Sequence, residues 1–209
     1  MALSTQAKNT LLAQIQAEEE LPIERITAVL GGKKPEDTSI LFRPCRLVEL
    51  TAEGLENAQT TIVKMGTVLK HYRELTGIGR ALAANQIASD LSIVVFLHPD
   101  GHLIAYINPK IIWKSQEENI YWEVCLSGAP LGVDVQRPEK AKVEWYDEAG
   151  AEHQELLEGF DARRMQHEID HLHGKVCYNT DGTHHETLGY GLDAETYLHQ
   201  ELRVAKKTV

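Results

Sequence analysis

The chain has 209 residues, 43% of them hydrophobic and 25% charged, which suits one domain with a packed core. A formal net charge of −10 argues against a broad nucleic-acid-binding surface, so no DNA partner is expected. No apolar run reaches the length of a membrane span, and the N-terminal stretch lacks a signal-peptide core; with three cysteines, Cys45, Cys125 and Cys177, the chain reads as a cytoplasmic protein with reduced thiols.

Residues 1–39 read as an N-terminal helical extension. Leu12, Ile15, Ile23, Ile26, Val29 and Leu30 keep helical spacing, with a break near Pro22 and a stop at Gly31-Gly32. Residues 40–209 are expected to form a single domain. It opens with an amphipathic helix over 52–76, with Leu55, Ile62, Met65, Val68, Leu69 and Tyr72 on one side. Residues 91–98 form a buried-strand run, Pro99-Asp100-Gly101 a turn, and residues 103–112 a second strand. Residues 140–147 and 153–159 read as a hairpin around Glu148-Ala149-Gly150. A further helix starts near Asp161, a candidate N-cap, and ends at Gly174, which suits the left-handed position. Residues 193–207 read as one more helix. Hairpins beside separate helices indicate an α+β fold, with antiparallel or mixed sheets packed around the helix that follows Asp161.

That helix carries the chemistry. In "MQHEIDHLHG", residues 165–174, His167 and His171 are four positions apart, about 40° around a helix axis and one turn along, so both can reach one metal ion. Glu168 lies about 100° from His167, where a carboxylate can reach a metal-bound water. Met165, Ile169 and Leu172 form a second stripe that can face the core. A coincidental match on a core helix is the plain alternative. A catalytic site of this kind needs a third protein ligand, and two thiols compete for it. Cys177 follows at the spacing at which extended zinc peptidases carry their third ligand, whereas Cys125 lies in "WEVCLSGAP", 42 residues before His167. Cys45 reads as a small buried residue. His98, His102 and His153 read as surface residues, and His184-His185 as a solvated loop.

Three segments, "GIGRALAANQ" (77–86), "EVCLS" (123–127) and "QHEIDHLHG" (166–174), resemble the signature segments of the peptide deformylases, in that family's order. Weaker matches at 40–48, 107–112 and 137–150 extend the likeness over about residues 40–180. The resemblance implies Cys125, His167 and His171 as ligands of one divalent ion. That ion would be natively Fe²⁺, with Zn²⁺ or another divalent ion able to replace it. Ligand type alone would suggest zinc. It further implies Glu168 as general acid/base, and Gln86 with the Leu126 N–H as donors to the developing oxyanion. Arg137 and Asp170 would form a pair that fixes the ligand helix. Gly77, Ile78, Gly79, Glu123 and Arg164 would line the substrate cleft. The implied substrates are N-formylated nascent peptides, cleaved to formate and a free N-terminus. A transient ribosome contact and a monomer or weak dimer are expected.

The segments also depart from the family pattern. Arg80 and Ala81 are extra residues within the first, Val124 stands where the family has Gly, and Arg164 stands where it has a small or apolar residue. A weaker preference for formyl-methionine is expected from the last two, with acidic or polar first residues better tolerated. The other readings are a zinc peptidase that uses Cys177, and a deformylase-like binding protein that has lost its activity.

Overall fold

The architecture follows from a strand buried on both faces. In the computed structural model, which describes residues 39–76, 79–127, 132–177 and 184–185, strand β2 (Ile93–Leu97) is buried throughout. Side chains alternate across a strand. Ile93, Val95 and Leu97 enter one core cluster, and Val94 and Phe96 enter another. Helix α1 (Ala52–Thr76) closes the first cluster with Ala58, Ile62, Met65, Val68 and Leu69. Helix α2 (Gly159–Leu172) closes the second with Ala162, Met165, Ile169 and Leu172.

Between the helices lies a five-stranded antiparallel sheet in the order β1-β2-β3-β6-β7. Its other strands are β1 (Ala81–Ala83), β3 (Leu103–Lys114), β6 (Lys140–Tyr146) and β7 (Glu152–Glu158). Strand β3 is bulged after Ile107. There Asn108 has φ +52°, and its side-chain amide bonds the N–H and C=O of Val48 at 2.8 and 2.9 Å, tying the segment before α1 to the sheet. A second, three-stranded sheet pairs β4 (Glu118–Val124), β5 (Gly132–Pro138) and β8 (His184–His185) in that order. The fold is α+β, with α2 between the two sheets' contributions.

Several expectations change. The sequence reading has no strands at 118–124 or 132–138, yet these build the second sheet. His184-His185, read as a loop, pairs with Gly132 and Val133. His153 lies on the surface but is partnered, 2.8 Å from Asp147 and stacked on Trp145. Asp161 does not cap α2. The N-cap is Glu158, in extended conformation and without a side-chain cap, while the Asp161 carboxylate in the first turn meets Arg164. Gly174 does take the left-handed conformation, at φ +72°. A Cβ there would come within 2.7 Å of the Phe42 carbonyl carbon, so the chain leaves α2 past backbone that only glycine admits. Nearly all of the expected extension 1–39, and the expected helix over 193–207, lie outside the described residues. Among the described residues no helix is long and apolar enough to cross a membrane.

Candidate metal centre

Two elements converge on one point. Strand β4 ends at Val124 and delivers Cys125, while α2 presents His167 and His171 on adjacent turns. The ligand atoms of these three side chains all lie within 4.8 Å of one another, and they are the group of that kind found among the described residues. Cys125 Sγ is 3.1 Å from His171 Nε2, and the two imidazoles meet edge-on at 5.1 Å. Cys177 is not a member of this group. It is buried against Cys125 and Val135.

Glu123 fixes one imidazole. Its Oε2 is 2.9 Å from His167 Nδ1, which leaves Nε2 free to face the centre. Glu123 in turn is gripped by two arginines. Arg137 donates from Nε and Nη2 at 2.7 and 3.0 Å, and Arg163 from Nη1 at 2.5 Å. Arg137 Nη1 also lies 2.7 Å from Asp170 Oδ2 on α2. Burial pushes the Glu123 carboxyl up, but Arg137 and His167 outweigh it and hold it well below the usual carboxylate range. Glu123, expected in contact with substrate, is therefore turned inward. It is 7% exposed, and both its oxygens are spent on Arg137, Arg163 and His167.

Glu168 is buried on α2, and its Oε2 has no hydrogen-bond partner among the described residues. Burial raises its carboxyl above the ordinary value, against the opposing pull of His167 and His171. The Cys125 thiol moves the other way. Burial pushes it up, but the Cys177 thiol and the two imidazoles bring it well below the ordinary value. Gln86 closes the site from a short 3-10 turn (Ala84–Ile87) after β1. Its Oε1 accepts from the Ala83 N–H at 2.9 Å, which aims Nε2 at Ser127 Oγ (3.0 Å) and Cys125 Sγ (3.6 Å). Leu126 follows Cys125 directly and packs on the first core cluster.

Gly77 and Ile78 lie outside the described residues. Gly79 is buried at φ +109° beside Leu69 and Tyr72, and the terminal strand of the sheet is β1, two residues further along. Val124 is half-buried opposite Gly132. Arg164 meets an acid supplied by the protein itself. Its Nη2 is 2.5 Å from Asp161 Oδ1, and its guanidinium lies 4.4 Å above the Phe96 ring.

Sequence reasoning missed three residues. Arg163 bonds Glu123, the Val135 carbonyl and both oxygens of Asn119, and lies over the Tyr121 ring. Asn85 donates to the His171 carbonyl at 2.6 Å, and the fully buried Ser127 receives Gln86. The last two stand inside the quoted signature segments, next to assigned residues, which is the signal that could have found them.

The residues fit a divalent ion. One thiolate and two imidazoles form a donor set for a borderline metal, three protein ligands leave a position open, and an unpartnered carboxylate oxygen stands beside them. Fold and site thus define an α+β metal-dependent hydrolase built on an HExxH helix. The family model described as polypeptide deformylase matches residues 33–186. A peptide deformylase of Pseudothermotoga lettingae is 39% identical over 116 residues, 56% of this chain and 66% of its own length. One of Bradyrhizobium diazoefficiens is 34% identical over 146 residues, covering 65% and 82%. The crystal structure of peptide deformylase from Thermotoga maritima matches with a TM-score of 0.63 and 29% identity, over 76% of this chain and 97% of that one. The chain belongs to the polypeptide deformylase family, metal-dependent hydrolases that remove the N-formyl group from nascent peptides.

Proposed function

We propose that this chain is a working deformylase of N-formylated peptides, with Cys125, His167 and His171 holding one Fe²⁺ ion. The observation that carries the reading is the buried, unpartnered Oε2 of Glu168 beside the three converging ligand atoms. When bound, the ion acidifies a water molecule and polarises the formyl oxygen. Glu168 takes a proton on Oε2 and returns it to the departing amine, and its raised affinity for protons suits that shuttle. The Gln86 amide and the Leu126 N–H donate to the oxygen on which charge builds, and the Ala83–Gln86 bond keeps that amide in place. Glu123 holds His167 in the tautomer that presents Nε2. The peptide main chain pairs with β1, the terminal strand of the sheet, which reads backbone and accepts many sequences. The work is done in the cytoplasm by a monomer or weak dimer, in transient contact with the ribosome.

The test is metal content and turnover together. Glu168→Gln is expected to keep its metal and lose about 10²–10⁴ of its rate on a formyl-methionyl peptide. Cys125→Ala is expected to lose the metal that Cys177→Ala retains. A metal-free Glu168→Gln protein, or one with unchanged rate, refutes the assigned role, and a deformylase-like binding protein would show no turnover in the wild type. Iron has its own check. A ferrous ion beside a thiolate invites oxygen chemistry, so the iron enzyme should decay faster in air than under nitrogen, and equal half-lives would count against iron.

A further inference from the structure

We propose that Cys177 is a resolving thiol for Cys125, so that peroxide converts this site to a Cys125–Cys177 disulfide instead of destroying it. The inference rests on the reading of Cys125 as a ligand, and it concerns a residue outside the ligand set. The two cysteines come from different elements, the end of β4 and the segment after α2. With Val135 they form a small buried cluster of their own, with Cys125 1% and Cys177 4% exposed. Cys45 belongs elsewhere, against the second core cluster. Two cysteines side by side in one small buried cluster have the juxtaposition that a disulfide requires.

The chemistry closes with hydrogen peroxide as the oxidant. A site that admits a formamide also admits peroxide. The Cys125 sulfur takes one oxygen as the O–O bond breaks, giving a sulfenic acid and one water. The Cys177 sulfur then attacks that sulfur. An S–S bond forms, the S–O bond breaks, and hydroxide leaves with the Cys177 proton as a second water. One peroxide is reduced to two waters while the two thiols together give up two electrons and two protons. The disulfide withdraws Cys125 from the ligand set, so the ion is released. A dithiol reductant reverses the step by exchange and restores both thiols. With no neighbouring thiol, the sulfenic acid continues to sulfinic and sulfonic acids, which a thiol does not reduce.

The zinc-loaded full chain provides the test, because zinc itself is redox-silent. It is treated with hydrogen peroxide in excess of three molecules per chain, zinc release is followed with a chromogenic chelator, and the product is mapped by peptide mass. The wild type is expected to lose two hydrogens, to yield one cross-linked peptide pair joining Cys125 and Cys177, and to regain zinc binding after dithiothreitol and added zinc. Cys177→Val and Cys177→Ala are expected to release zinc but gain two or three oxygens on Cys125, with reductant restoring less than about a tenth of zinc binding. Wild-type protein that carries oxyacids on Cys125 beside a free Cys177, or a disulfide to Cys45, overturns the proposal whatever the variants do. The ligand reading is judged separately, on untreated protein: zinc retained by Cys125→Ala would sink it and not the cross-link map.

Discussion

At the scale of single residues, the decisive arrangement is a carboxylate held by two arginines. Glu123, Arg137 and Arg163 are each less than a tenth exposed, and removing one leaves buried charge without its partner. Arg137→Leu is expected to cost about 3–5 kcal/mol in denaturant unfolding, and an unchanged midpoint would mean that the pairing carries no net stability. Glu123→Ala should do comparable damage and also free the His167 ring, so that metal affinity falls about 10–100-fold in competition with a chelator. Arg164 belongs to the same scale. Its charge is met by Asp161, so the protein no longer requires an acidic side chain from the substrate. What remains is bulk, which together with Val124 is expected to make the first-residue pocket shallower. Across formyl-peptides that differ only in their first residue, Arg164→Ile is expected to raise kcat/KM for methionine relative to alanine. An unchanged ratio would place the guanidinium outside the pocket.

The elements differ in how plainly the sequence announces them. Both histidines of α2 are legible because their geometry is local: four residues is one helical turn wherever the helix lies. Strand β2 is legible because a run covered on both faces shows no polar alternation. Cys125 is different, since its place beside the histidines depends on two elements meeting across the fold, and only the resemblance to deformylases chose it over Cys177. The same dependence hid Arg163, whose partners lie on β4 and β5, and led Glu123 to be read as facing substrate. A carboxylate two residues before a ligand cysteine looks the same in sequence whether it turns inward or outward. Strands β4 and β5 escaped because in "ENIYWEV" and "GVDVQRP" polar residues interrupt the apolar ones, and several of those polar groups are buried by the arginines. The end of α2 offers a test at this scale. Gly174→Ala forces a side chain into φ +72° and against Phe42, and the strain alone is worth about 1–3 kcal/mol. A loss in unfolding free energy near zero would mean that the segment before α1 moves aside freely.

For the molecule as a whole, the sheet's burial by both helices reaches its titration behaviour. Tyr106 on β3 sits between Phe96 and Trp145. Burial, reinforced by Glu155, lifts its hydroxyl from 10.0 to about 12. A group whose pKa is raised by folding contributes stability that is complete below the unfolded value and lost as pH climbs through the folded one. Here that window runs from about pH 10 to about pH 12. Tyr106→Phe should flatten the fall of the melting temperature across that window, and an identical slope in both proteins would remove Tyr106 as a cause. The separation of the ligands has a wider consequence. Cys125 and His171 are 46 positions apart, on elements that meet only when the second sheet has docked on α2. An unfolded chain cannot offer the ion the same chelate, so occupancy and folding are thermodynamically linked. At an ion concentration a thousand times the dissociation constant, mass action adds about 4 kcal/mol to the folded state. Metal supply would then set the lifetime of the protein as well as its rate, and a chelator would act on this enzyme as a denaturant.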